Sequence, residues 1–342
     1  MAHGAHGQRL GLGRTRRQGL VSTHGTVGVT GIRGSEPLLG VVLVNYGSSA
    51  LLEANLVGRR FTHSRVVVVD NLSTSAERQR LRELAAREGW TLVEQPDNRG
   101  FGAGVNAGAA EARRLGCAAV LLLNPDLQVE PTVVESLRLA VTHDPQVLVA
   151  PRLVDPDGRT VFEGHLLDLA DGRIRNSAKS AGRASGLHDD LFWLTAACLA
   201  VHLELWQRLS GFDERYFMYW EDVDFAYRSH LAGARQVLRS DLVAIHDQGG
   251  TQGERRGRAK SPLYYRYNIR NRMVFASRLL ARRQVVQWLL QTPTVAYEVW
   301  LHGGRRQLWE APAGVLAAAS GACSALVVGL WSVVRPPNVT AR

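Results

Sequence analysis

Apolar residues in this chain fall into short uninterrupted runs separated by longer charged stretches, and the alternation begins at Leu38. Residues 39–44, 65–69, 90–93 and 117–123 each read as a strand, and 49–60, 73–88 and 104–115 as the helices between them. Strands without polar alternation are covered on both faces, so the pattern predicts an α/β fold around a mainly parallel sheet. Residues 147–154 read as a further strand, 155–190 as loop, 221–231 as a helix closed by Gly233, and 237–245 as another strand. A basic, Gly-rich loop is expected at 249–260, and helix from Ser261 onward. Residues 1–36 are rich in Gly, His, Arg and Thr and follow neither period, so disorder is expected there. Arg16-Arg17 leads into a polar, Gly-rich stretch and not an apolar h-region, so export is not expected.

Ligands of such sheets bind beyond the carboxyl ends of the strands. Asn45, Asp70, Asn98 and Asp126 all follow strand ends, which places four polar residues along one edge. The run from Asn98 to Gly108 is a Gly-rich turn opening a helix, suited to close backbone approach and to an anion at the helix N-terminus. It follows the third strand and not the first, which argues against a dinucleotide-binding fingerprint and an NAD(P)-dependent oxidoreductase. Asn124-Pro125-Asp126 offers a carboxylate for a hard cation that can bridge a diphosphate. The segment 216–224 sets Glu221, Asp222 and Asp224 among aromatic residues, where desolvation and mutual repulsion raise a carboxyl pKa toward that of a general base. His246 follows the strand at 237–245 and carries weight if it meets Asp126 in space.

Composition narrows the partners. The 342 residues carry 41 Lys+Arg against 31 Asp+Glu, a net charge of +10 that favours an anionic partner without choosing among nucleic acid, phosphorylated ligands and anionic lipid. Cys117, Cys198 and Cys323 lie far apart, which excludes a zinc or disulfide framework and suggests three small core residues in a reducing cytoplasm.

Taken in order, these motifs resemble the inverting glycosyltransferases of family 2, with the GT-A fold, and within them the rhamnosyltransferase-like branch. The likeness runs from about Leu39 to Arg278 and rests on Val42–Tyr46, Val68–Ser73, Asn98–Gly102 through Asn106, Leu122–Asp126, Gly211–Glu214 with Glu221–Asp224, and Arg270-Asn271. It implies a nucleotide-sugar-binding domain over 37–280, with Asp70 on the pyrimidine base and Asn45, Arg99, Gly100, Asn106 and Asn124 on the donor. Asp126, with His246, would hold Mg2+ or Mn2+ on the diphosphate. Asp222 would be the catalytic base, with Asp213, Glu221 and Asp224 on the acceptor side. The implied reaction moves a sugar from a dTDP- or UDP-sugar, dTDP-L-rhamnose among them, to a hydroxyl of a cell-surface glycan or lipid-linked acceptor. Three positions depart from the family's pattern: Ser210 replaces a Gly, Ala196-Ala197 a Gly-Ala pair, and His202 an Arg.

Residues 281–342 are expected to be helical and membrane-associated. Trp288, Trp300, Trp309 and Trp331 lie beside Arg282-Arg283 and Arg305-Arg306, a composition suited to a membrane interface. The stretch 311–334 has no charged residue and is long enough to span a bilayer, yet it is mostly Ala, Gly and Ser. A helical hairpin peripheral to the inner leaflet is the expectation, with a transmembrane helix and a packed tail as alternatives. A processive polysaccharide synthase is disfavoured by the lack of a Gln-x-x-Arg-Trp element and of several clear spans. A non-catalytic anion-binding protein leaves the acidic cluster unexplained, and nucleic acid is not an expected partner.

Overall fold

The computed structural model describes residues 36–177, 190–247, 260–305, 307 and 311–334. The expected disorder before Glu36 and the basic loop before Lys260 lie outside them. Strands β1 (Leu38–Asn45), β2 (Ser64–Asp70), β3 (Thr91–Glu94) and β4 (Cys117–Leu123) run parallel in the order β3-β2-β1-β4. Between them come helices α1 (Ser49–Leu56), α2 (Ser75–Glu88) and α3 (Phe101–Arg114). Val41, Val67 and Val120 have no exposed surface, as expected of strands covered on both faces. Glycines set the approach of α3 to the sheet: a Cβ at Gly108 would come within 2.4 Å of Val42 Cγ1, and one at Gly104 within 2.8 Å of Val44 Cγ1. Helix α1 stops at Leu56, short of the expected 60, because Val57 is extended (ψ 134°) and Gly58 turns left-handed.

After β5 (Leu127–Gln128), α4 (Pro131–His143) and β6 (Val147–Val154), the region 155–190 holds strands where loop was expected. These are β7 (Thr160–Phe162), β8 (His165–Asp168), β9 (Ile174–Asn176) and β10 (Asp190–Trp193), the last three forming a small antiparallel sheet. Strands of three or four residues are too short to display a period of two. Next, β11 (Cys198–His202) inserts between β4 and β6, antiparallel to both. The large sheet is therefore mixed, still mostly parallel. Helices α5 (Leu203–Arg208) and α6 (Glu221–Leu231) lead to β12 (Arg235–His246), which runs parallel to β6 and ends antiparallel to β5.

Three helices close the described chain: α7 (Pro262–Leu279), α8 (Arg282–Leu301) and α9 (Pro312–Val334). Ser261 caps α7 by accepting from the Tyr264 amide at 3.1 Å, with Pro262 in the first turn. The small sheet docks on these helices. Arg173 from the turn before β9 pairs with Glu298 of α8 at 2.9 Å. Arg272 of α7, 2% exposed, lies 4.7 Å over the Trp288 ring and donates to the Asp171 carbonyl.

Candidate active site

A cavity of about 740 Å³ opens at the carboxyl ends of β1 and β4. Ser48, Asn71, Asn98, Gly100 and Asn124 line one side; Thr195, Glu221 and Asp222 line the other, with Leu263 and Tyr267 of α7 at the edge.

The first side is built from asparagines. Asn98 Oδ1 accepts from the Gly100 amide (2.9 Å) and from Asn71 Nδ2 (3.0 Å), while Asn71 Nδ2 also donates to the Gly100 carbonyl (3.0 Å). Gly100 has φ 94°, and a Cβ there would fall 2.1 Å from the Phe217 carbonyl oxygen. That close approach lets the Phe101 amide donate to the same oxygen at 2.9 Å, and it starts α3 at Phe101 and not at the expected Gly104. Asn45 is fully buried and holds Ser48 through its Oδ1. Asp70, also fully buried, takes Arg78 on Oδ2, and among the described residues no group bonds its Oδ1.

Opposite, α6 begins in strained backbone. Tyr219 (φ 68°) and Trp220 (φ 78°) are both left-handed, a conformation that costs of order 1–3 kcal/mol per bulky residue. Asn271 of α7 holds them: its Nδ2 donates to the Met218 and Tyr219 carbonyls at 2.9 and 2.8 Å. The backbone then delivers Glu221 and Asp222 to the cavity wall. Asp222 accepts from the Val223 amide (2.9 Å), the Ala196 amide (3.3 Å) and the Thr195 hydroxyl. Burial nonetheless pushes its carboxyl up to about 6. Glu221 is 5% exposed, and burial together with the Asp222 charge raises its carboxyl well above the usual range. A carboxylate poised near neutrality on a cavity wall can accept a proton from a bound hydroxyl.

Asp126, 2% exposed, follows the cavity-lining Asn124 and Pro125 in the chain, and His246 Nε2 lies 3.2 Å from its Oδ1. The β5–β12 pairing produces that meeting, since it places His246 opposite Leu127. Glu36, His63 and Glu135 also converge, but in a partly exposed setting where Arg138 already pairs with both glutamates.

Residues 49–197 match the family model described as Glycosyl transferase family 2. The chain is a glycosyltransferase, with its family 2 match lying over those residues. It is 28% identical over 241 residues to the N-acetylglucosaminyl-diphospho-decaprenol L-rhamnosyltransferase of Mycobacterium tuberculosis, across 63% of this chain and 78% of that protein. It is 24% identical over 248 residues to the low-salt glycan biosynthesis hexosyltransferase Agl10 of Haloferax volcanii, across 71% of this chain and 77% of that one. A crystal structure of GalNAc-T7 with UDP, GalNAc and Mn2+ shares its GT-A fold at TM-score 0.57 and 13% identity, over 80% of this chain and 54% of that one. The activity is sugar transfer from a nucleotide-sugar.

Within the glycosyltransferase, the residues singled out in the sequence separate into two groups. Asn124, Gly100, Glu221 and Asp222 line the cavity. Arg99 and Asn106 are engaged elsewhere: Arg99 pairs with Glu214, while Asn106 exchanges two 2.9 Å bonds with Phe212 and donates to Glu214 at 3.1 Å. Both tie the Gly-rich turn to the Gly211–Glu214 loop. Asp213 pairs with Arg278 of α7 at 2.9 Å. Asp224 is fully buried, accepts from Tyr216 and Arg228, and so braces the same loop through Arg228's contacts with the Leu209 and Gly211 carbonyls. Ser210, where the family has Gly, stands at φ 60°, the region that Gly occupies without strain. His202 caps α5 by accepting from the Glu204 amide. Thr195 carried no signal in the sequence, lying in no spacing that chemistry demands, and Asn71, although inside the Val68–Ser73 motif, was given no role of its own. Cys117 and Cys198 are buried as expected, whereas Cys323 is exposed on α9.

Proposed function

We propose that this glycosyltransferase inverts configuration at the transferred sugar, with Asp222 as general base and a divalent metal held by Asp126 and His246. The acceptor hydroxyl gives its proton to Asp222 as its oxygen attacks the anomeric carbon from the face opposite the nucleoside diphosphate. The new C–O bond forms while the bond to the diphosphate breaks, and a single displacement inverts the centre. The observation that carries this reading is Asp222 itself, a carboxylate on the cavity wall titrating near 6 and fixed by three hydrogen bonds.

A buried carboxylate oxygen and an imidazole nitrogen 3.2 Å apart form a donor set suited to Mg2+ or Mn2+. Such an ion, when bound, supplies charge neutralisation for the departing diphosphate. On the nucleotide side, Asp70 serves the base through its Oδ1, Asn45, Gly100 and Asn124 serve the donor, and Arg99 and Asn106 act by tying the Gly-rich turn to the Gly211–Glu214 loop. The nucleotide-sugar is proposed to be dTDP-L-rhamnose, supported by the L-rhamnosyltransferase among the relatives, and the acceptor a glycan or lipid-linked hydroxyl presented at the cytoplasmic side. Turnover of dTDP-rhamnose and UDP-hexoses with Mn2+ tests the reading. Asp222→Asn is expected to abolish transfer, and Asp126→Ala to remove the response to Mn2+. Full turnover by Asp222→Asn would exclude that residue as the base.

A further inference from the structure

We infer that the outer face of α8 and α9 is a lipid-contact surface that lies in the plane of an anionic leaflet, and that α9 does not span the bilayer. By length and composition α9 passes as a span, with mean hydropathy 1.9. Its packing points the other way. Gly314, Ala318, Gly321, Ala325 and Gly329 form one buried stripe along the whole helix. A Cβ at Gly321 would come within 2.7 Å of the Arg266 carbonyl oxygen, and one at Gly329 within 2.6 Å of Leu289 Cδ1, so backbone lies against α7 and side chain against α8. Helix α7 carries Arg266, Arg270, Arg272 and Arg278, and its Asn271 holds the backbone before Glu221. A spanning α9 would have to leave this seat or draw those arginines into hydrocarbon, where charge is expelled.

Opposite the stripe, Leu316 (73% exposed), Val327 (66%), Leu330 (56%), Trp331 (60%) and Val334 (78%) face outward. At 100° per residue they fall within about 60° on either side of Leu316. On α8, Leu290 (76%) and Tyr297 (52%) share one exposed face with Arg282 and Arg283 at its head. Among the described residues of both helices the one carboxylate is Glu298, already paired with Arg173. Apolar side chains bordered by unopposed arginines match an anionic leaflet in both hydrophobicity and charge. A groove of about 270 Å³ between the helices, walled by Ala296, Trp300, Val315 and Ala318, gives a hydrocarbon chain a place to enter. The buried stripe also links the surface to the helix at the cavity: Gly314 packs on Tyr265 of α7, the helix whose Leu263 and Tyr267 line the cleft.

The test uses the full chain and vesicles of phosphatidylglycerol mixed with phosphatidylcholine. Flotation with anionic vesicles and not with pure phosphatidylcholine is expected. Replacing Leu290 and Trp331 together by Ser, both remote from the cavity, is expected to weaken vesicle binding at least about tenfold with unchanged melting temperature and donor hydrolysis. A nitroxide on Cys323, midway along α9 and exposed while Cys117 and Cys198 are buried, reads depth. The same shallow depth at Cys323 as at labels on positions 316 and 334 supports the in-plane arrangement; a maximum at the bilayer centre overturns it. Absence of vesicle binding, or a dimer that the Leu290/Trp331 substitutions dissociate, also overturns it. Flotation and label depth depend on neither the sugar nor the base assignment, so their failure leaves the proposed chemistry standing.

Discussion

Replacing Asp222 by Asn is expected to stabilise the protein while it stops catalysis. Asp222 titrates near 6 when folded, against 3.8 for the ordinary side chain. A carboxyl whose folded value is raised binds its proton more tightly in the native state. It imposes no penalty below pH 3.8, a growing one between 3.8 and 6, and the full one above. At 1.36 kcal/mol per pH unit, the full penalty is about 3 kcal/mol at pH 7.5 and roughly half that at pH 5. Water in the open cleft reduces this figure. The amide also has one acceptor fewer for the Val223, Ala196 and Thr195 donors, which offsets about 1 kcal/mol. The net gain expected is about 1–2 kcal/mol at pH 7.5, or about 1–3 °C in melting temperature for a chain of this length. Melting curves of both proteins at pH 5 and 7.5, with transfer assays alongside, provide the measurement. A melting temperature lowered at pH 7.5, or a gain equal at both pH values, would refute desolvation as the origin of the raised value. The wild-type kcat/KM is expected to fall as pH drops through about 6, because the base must be ionised to act.

Asn271→Ala frees the Met218 and Tyr219 carbonyls and lets the left-handed pair relax. The expected result is a kcat lower by about 10- to 100-fold with little change in donor KM, read in steady-state kinetics. Arg228→Met leaves Asp224 buried without its cation, and chemical denaturation should show a loss of about 3–5 kcal/mol, recovered in part by adding Asp224→Asn. Gly100→Ala brings a methyl against the Phe217 carbonyl at positive φ, and a loss of about 2–4 kcal/mol is expected in the same assay.

How much of this was legible beforehand depended on the range of the interactions. The β1–β4 half was readable because each strand is buried on both faces and so writes its burial directly as an apolar run. The insertion of β11 was not, because Cys198–His202 is equally apolar whichever way it points between β4 and β6. The strand-end residues and the acidic cluster announced the cleft, since carboxylates among aromatic residues are costly without a use. The work of Arg99 and Asn106 stayed hidden: their partners, Glu214 and Phe212, lie more than a hundred residues away in the chain. Arg270-Asn271 could be matched as a motif, yet only the fold brings Asn271 to the Met218 and Tyr219 carbonyls.

The seam between the Gly-rich turn and the Gly211–Phe217 segment has a consequence for how such enzymes diversify. The turn meets that segment through a backbone bond at Phe101, a space at Gly100 that admits no side chain, the Asn106 amide and the Arg99–Glu214 pair. The Gly-rich turn and the Gly211–Phe217 segment therefore form one mechanical unit. A lineage that acquires a new acceptor by altering the loop has to keep the partners of positions 99, 100 and 106. At the cavity, Leu263 and Ile174 lie outside that joint, whereas Tyr267 stacks on Phe217 at 5.4 Å and is tied to it.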